Sequence, residues 1–265
     1  MDLKKICLQV KVIAEQTAEF IRNESLSFSS GMIESKGIHN YVSYVDKQAE
    51  EILVKELGRI LPGTGFIAEE GTGDKNMEGL NWIIDPLDGT TNFIHGLPPF
   101  SISIALADRK KVLLGVVYEI NLDECFYSWE GAPAYMNDKE IAVSNTRHVR
   151  DSLIATGFPY TDFSHMDPFI STFRFFMENS HGLRRLGSAA VDLAYVACGR
   201  FDAFYEYGLN SWDVAAGAFI VRQAGGSLSD FKGGDDFLFG GELVASNGII
   251  FGEFLSMVQH FMSTD

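Results

Sequence analysis

The sequence predicts an α+β protein of layered helices and sheets. Amphipathic helical runs open and close the chain. Between Phe100 and Trp129, three apolar strand-like runs follow one another through short polar connections, the pattern of an antiparallel meander. In the second half, helical and strand-like segments alternate in blocks, which favours helices layered on mostly antiparallel mixed sheets.

Leu3, Ile6, Cys7, Val10, Ile13, Ala14, Thr17 and Ile21 recur at helical spacing and form the buried face of a first helix. A polar, glycine-containing stretch follows, from Ser25 to Asn40. A second helix starts at Asp46, turns Ala49, Ile52, Leu53, Leu57 and Ile60 inward, and ends at Pro62-Gly63. Gly65–Ala68 and Trp82–Ile84 read as short strands. The meander is Phe100–Ala107, Val112–Glu119 and Glu124–Trp129, with tight connections at Asp108-Arg109-Lys110 and Asn121-Leu122-Asp123. Ala134–Val143 continues the antiparallel theme. Strands are then expected at Ser152–Thr156, Phe201–Tyr205, Gly226–Ser229 and Leu243–Ala245. Helices are expected at Asp167–Asn179, Ser188–Cys198, Asp213–Ala224 and Ile249–Phe261. The Asp213 helix is rich in Ala and Gly, which lets it pack closely.

The 265 residues contain no Pro/Ser-rich linker, low-complexity tract or long like-charge block. A single domain of two packed halves, about 1–150 and 151–265, is expected. The formal charge of -15 disfavours nucleic-acid and anionic-membrane partners, which need basic patches. It does not exclude an anionic substrate, because bound divalent cations invert the local field. Three scattered cysteines (Cys7, Cys125 and Cys198) make neither a disulfide framework nor a zinc signature. Charged residues interrupt the first twenty positions, and no run approaches transmembrane length, so a soluble, cytoplasmic protein is expected. His39, His95 and His181 lack neighbouring ligands and are read as structural.

The run Asp85-Pro86-Leu87-Asp88-Gly89-Thr90-Thr91-Asn92 carries most of the chemistry. Two carboxylates follow the apolar Trp82-Ile83-Ile84, and Pro86 and Gly89 are expected to break the strand there. A lone Asp-Gly is an ordinary turn. This run is flanked by apolar sequence on both sides, and burying several carboxylates is costly unless a cation compensates them. Glu69-Glu70 ends the preceding strand, and Asp213 lies at the start of a helix, where free amides and the macrodipole favour anions. Leu186-Gly187-Ser188-Ala189 is a second candidate phosphate cradle at a helix start. Carboxylates and carbonyls suit magnesium, with substrate phosphate completing its shell. Neither a G-x-S-x-G elbow nor a Walker loop is present.

Taken together, Glu69-Glu70, Trp82 to Phe93 and Trp212-Asp213-Val214-Ala215-Ala216-Gly217 resemble the signature of the inositol monophosphatase family, the lithium-sensitive, magnesium-dependent inositol and sugar phosphatases. The resemblance runs from about the first helix to the last. It implies a layered αβαβα sugar-phosphatase fold, two or three Mg2+ ions and a homodimer. It further implies that Glu70, Asp85, the Leu87 carbonyl and Thr90 hold a first metal, and Asp85, Asp88 and Asp213 a second. Glu70 with Thr90 would orient the attacking water, and Asp46 would polarise Thr90. The Gly89 and Thr90 amides would receive the phosphate. Asp88, Gly187, Ala189, Glu206 and Asp213 would line the substrate, with Glu206 bonding its hydroxyls. One stretch departs from the family: Asn40 stands where it usually has Asp, and Ser43 where it has Thr. Asn40 can accept a hydrogen bond but carries no charge.

The expected activity is hydrolysis of myo-inositol 1-phosphate or a close polyol phosphate. The alternatives are fructose 1,6-bisphosphate, a 3′(2′),5′-bisphosphate nucleotide and histidinol phosphate. Arg184 and Arg185 could supply the extra cationic contacts that a bisphosphate needs. A regulatory metal-binding protein of low activity is the remaining alternative.

Overall fold

The computed structural model describes residues 1–27, 33–37, 40–76, 79–160 and 162–262. Helix α1 (Leu3–Ser25) begins on Asp2, whose carboxylate accepts from the Lys5 amide at 3.0 Å. Strands β1 (Ile33–Gly37) and β2 (Asn40–Ser43) form an antiparallel pair that begins in the polar stretch and runs up to the next helix. Helix α2 spans Tyr44–Ile60 and is capped by Ser43, not begun by Asp46. Asp46 occupies the third helical position, and its carboxylate reaches back to the Ser43 amide at 2.9 Å. Two otherwise orphaned amides are thereby satisfied in a capping box.

The larger sheet contains β3 (Gly65–Ala68), β4 (Leu80–Asp88), β5 (Ser101–Asp108), β6 (Lys111–Glu119), β7 (Glu124–Trp129), β8 (Ala134–Met136) and β9 (Lys139–Ile141), in that spatial order. Helix α3 (Thr90–Ile94) lies between β4 and β5 in the chain. Only the β3–β4 pair is parallel. The smaller sheet holds β10 (Leu153–Thr156), β11 (Gly182–Arg184), β12 (Ala203–Tyr207), β13 (Ser227–Ser229) and β14 (Glu242–Ser246), ordered β11–β10–β12–β14–β13. Here β10 pairs in parallel with both β11 and β12, and the other two pairings are antiparallel. Strand β11 has three residues and no alternation, too little for sequence periodicity to detect. Helices α4 (Met166–Asn179), α5 (Ala189–Ala197), α6 (Ser211–Gln223) and α7 (Phe251–Met262) complete the chain.

Three apolar clusters fill the four interfaces between five layers, as expected for an αβαβα arrangement, one of them spanning both faces of the central helices. Ile13, Ile21, Leu53 and Leu57 of α1 and α2 pack with Trp82, Ile84 and Ile104 on one face of the large sheet. On its other face Ile83, Val117 and Phe126 meet Leu193, Ala216 and Ile220 of α5 and α6, which also contact Phe204 and Leu243 of the small sheet. Phe169, Phe176 and Phe254 of α4 and α7 cover the far side of that sheet. The small residues of α6 permit close approach: a Cβ on Gly115 would lie 2.8 Å from the Ala216 carbonyl oxygen, and one on Gly217 would lie 2.6 Å from the Leu193 Cβ. Helix α6 is therefore held against the large sheet at backbone distance, which fixes the position of its first turn.

Candidate active site

Strand β4 does not stop at Pro86; it runs to Asp88 through an irregularity. Asp85 pairs with Ser103 and Asp88 with Ser101, so three steps on β4 match two on β5. The extra residue is a bulge, the device by which a strand accommodates proline and re-aims a side chain. Without it Asp85 and Asp88 would point to opposite faces. With it both line one cleft.

The neighbouring strand settles the Glu69-Glu70 pair. The parallel register Ala68↔Ile84 brings Glu69 level with Asp85, and the Glu69 amide donates to the Ile84 carbonyl at 3.2 Å. Side chains level with one another in adjacent strands share a face. Glu69 accordingly lines the cleft beside Asp85 and shares a hydrogen bond with it. Glu70, expected at the metal site, is not among the residues that line this cleft, although its charge is felt by Asp46 and Glu69. The Glu70 amide instead donates to the buried Glu50 carboxylate at 2.8 Å.

The N-termini of α3, α5 and α6 all reach this cleft. Gly89 precedes α3 with φ 95, and a Cβ there would lie 3.1 Å from the Pro99 carbonyl oxygen, so glycine is required. Thr90 Oγ1 lies 3.0 Å from Asp46 Oδ1 and 3.1 Å from the Leu87 carbonyl oxygen. Asp46 also accepts from Ser43 Oγ at 2.5 Å, so the serine in the family's threonine place still supplies a hydroxyl. Asn40 opens β2; its side chain, and all of His39, lie outside the described residues. At the start of α5 the Ser188 hydroxyl donates to Asp88 Oδ2 at 2.6 Å, and the Ala190 amide donates to the same oxygen at 2.8 Å. Ser188 is thus both the helix cap and a direct partner of the acidic turn, a link that only the long-range fold reveals. In α6, Asp213 sits at the third helical position and accepts from the Asn210 amide at 2.6 Å.

Gly187, Ala189 and Glu206 line the same cleft. Gly157 makes room for the last: a Cβ there would lie 1.8 Å from Glu206 Oε1. Asp192 and Tyr160 are among the lining residues that were not singled out as site residues from sequence. Asp192 lies on α5, and Tyr160 in the segment after β10. The Asp192 signal was an acid set within an otherwise apolar helix. Arg185, read above only as a candidate bisphosphate contact, also lines the cleft and stacks on Phe158 and Tyr160 at 5.1 and 5.3 Å.

Packing this many carboxylates together raises their affinity for protons. Burial, then the Asp213 charge, push Glu69 up to about 8. Burial and the Asp88 charge push Asp213 up to about 7. Burial also raises Asp88 to about 6, against the lowering effect of its Ser188 and Ala190 hydrogen bonds. Asp85 is displaced well upward by burial and then by Glu69, Asp88 and Asp213. Oxygen donors with unbalanced negative charge suit a hard divalent cation. Among the described residues, no three acidic, histidine or cysteine side chains are drawn together into a closed cage. Magnesium does not require one, because it keeps several waters and shares its shell with phosphate.

The Inositol monophosphatase family model matches residues 5–261. The chain belongs to that family. Its members are generally metal-dependent phosphoric monoester hydrolases. An inositol-1-monophosphatase from Mesorhizobium japonicum is 45% identical over 81% of each chain. A Pseudomonas aeruginosa protein named Nus factor SuhB is 40% identical over 86% of each. The crystal structure of extragenic suppressor protein suhB from Bartonella henselae superposes with a TM-score of 0.89 at 36% identity, covering 98% of this chain and 99% of that one. The family's fold is the layered α+β arrangement described above.

Proposed function

We propose that this chain is a magnesium-dependent phosphomonoesterase that converts myo-inositol 1-phosphate, or a close polyol phosphate, to the free alcohol and phosphate. The observation that carries the reading is the gathering of Glu69, Asp85, Asp88 and Asp213 around one cleft, with the Thr90–Asp46 pair beside them. The cleft measures about 220 Å³, smaller than the roughly 300–1,000 Å³ of drug-sized pockets, and suits one small polar ligand.

Glu69, Asp85, the Leu87 carbonyl, Asp88 and Asp213 would hold the metal. Magnesium bound there supplies positive charge to the phosphoryl oxygens and to the leaving oxygen. The phosphate is received by the first amides of α3, at Gly89 and Thr90, which have no partner within their own helix. Asp46 accepts from Ser43 N, Ser43 Oγ and Thr90 Oγ1, so the Thr90 hydroxyl is oriented with a lone pair free towards water. A water donating to Thr90 Oγ1 and to the Glu69 carboxylate would direct its own lone pair at phosphorus. The new P–O bond forms as the ester P–O bond breaks, and the departing alcohol oxygen takes up a proton. Glu206, at the alcohol end of the cleft, accepts from substrate hydroxyls.

Phosphate release from myo-inositol 1-phosphate with magnesium tests this reading. Asp88→Asn should lower turnover at least about a hundredfold, the scale of one preorganised electrostatic group. Turnover at the wild-type rate in that variant would remove the assignment. Fructose 1,6-bisphosphate, a 3′(2′),5′-bisphosphate nucleotide and histidinol phosphate, compared at fixed magnesium, separate the substrate classes.

A second reading is favoured by the name Nus factor carried by relatives about 40% identical. In it the chain has a regulatory role beside, or in place of, hydrolysis. Strong magnesium binding with no hydrolysis of any ester in the panel would support that reading over the first.

A further inference from the structure

Asp192 is 1% exposed, yet it lines the cleft, and its Oδ1 has no hydrogen-bond partner among the described residues. A buried acceptor left unpaired costs about 1–3 kcal/mol, so its retention calls for a role. Arg185 lines the same cleft. Its guanidinium is held between Phe158 and Tyr160 and donates to the Tyr160 hydroxyl through Nη2, while its Nε is buried and has no partner among the described residues. Asp192, Glu206 and Arg185 line this one cleft, and Asp192 feels the charges of both others. A wanting acceptor, a wanting donor and the Glu206 carboxylate therefore meet in one place. An alcohol hydroxyl is the smallest ligand group that both donates and accepts. A second phosphate or carboxylate matches it less well, because it would satisfy Arg185 but stand against two carboxylates.

We infer that Asp192, with Arg185, reads a hydroxyl of the alcohol portion of the ester, and so sets a preference for polyol phosphates over esters of simple alcohols. This rests on the phosphatase reading above and assigns the specificity of that site to a residue outside the acidic turn. Asp192 is not among the residues assigned above to the metal or the phosphate. It lies in the first turn of α5, two residues past the Ala190 amide that binds Asp88.

The test compares kcat/KM for myo-inositol 1-phosphate with that for cyclohexyl phosphate, which has the ring and the ester but no hydroxyl. Measurements are made with magnesium on the wild type, Asp192→Ala and Asp192→Asn. In the wild type the ratio should favour the polyol at least tenfold. Asp192→Ala should lower that ratio by about ten- to a hundredfold, the scale of a hydrogen bond to a charged group, mostly through KM. Asp192→Asn keeps an acceptor and should restore part of it. A ratio unchanged in both variants overturns the inference, as does an equal loss on both esters, which would make Asp192 a support of the fold. If Asp192→Ala does not fold, Asp192→Asn and the wild-type ratio still decide. A wild type that cleaves both esters equally overturns the inference and leaves the phosphatase reading standing. A wild type that cleaves neither ester overturns both.

Discussion

Replacing Glu69 by Gln, with Glu70→Gln as its control, tests the register that places one of the pair in the cleft. Burial and Asp213 hold the Glu69 carboxyl up to about 8 against an ordinary 4.5. At about 1.4 kcal/mol per pH unit, ionising it in the folded protein at pH 8 costs on the order of 5 kcal/mol. Gln removes the charge but must itself be hydrogen-bonded, which takes back about 1–3 kcal/mol. A net gain of about 2–4 kcal/mol corresponds to a Tm rise on the order of 4–16 °C for a chain of this size. The sign follows from linkage. Below about pH 4.5 the carboxyl is protonated in both folded and unfolded chains and the variant gains nothing; the gain opens as pH rises towards 8. Thermal unfolding in EDTA between pH 4.5 and 8 measures it. The same substitution should lower magnesium-dependent turnover about a hundredfold. Glu70→Gln should show neither the pH-dependent gain nor a loss of that size. The reverse pattern would refute the register argument.

Three further outcomes are expected. The metal-free wild type should lose thermal stability between about pH 4 and 7, because Asp88 and Asp213 are raised from 3.8 to about 6 and about 7; magnesium should restore more stability at pH 7 than at pH 4. Thr90→Ala should reduce kcat by about a hundredfold while Thr90→Ser retains most of it, since only the hydroxyl facing Asp46 is at stake; steady-state kinetics separate the two. Gly115→Ala should destabilise by about 1–3 kcal/mol in urea and also slow turnover, because its Cβ would meet the Ala216 carbonyl oxygen at 2.8 Å and push the helix that carries Asp213.

Local chemistry made much of the molecule legible in advance. Helical periodicity marks α1, α4 and α7, apolar runs separated by polar turns mark the β5–β7 meander, and Ser188 announces the start of α5. The concentration of acid at Asp85 and Asp88 is visible too, because it depends only on neighbours along the chain. Three features escaped that view. The continuation of β4 through Pro86 depends on a bulge against β5. The presence of Glu69 rather than Glu70 in the cleft depends on its level beside Asp85. Asp192 and Arg185 share a cavity only because α5 is wedged between two sheets.

What the linear order of residues decided was therefore composition and period: which segments coil, which extend, and that carboxylates crowd one turn. Tertiary structure alone decided facing. A side chain's side of a strand reverses with a single-residue shift in pairing, and that pairing is made with partners distant in the chain.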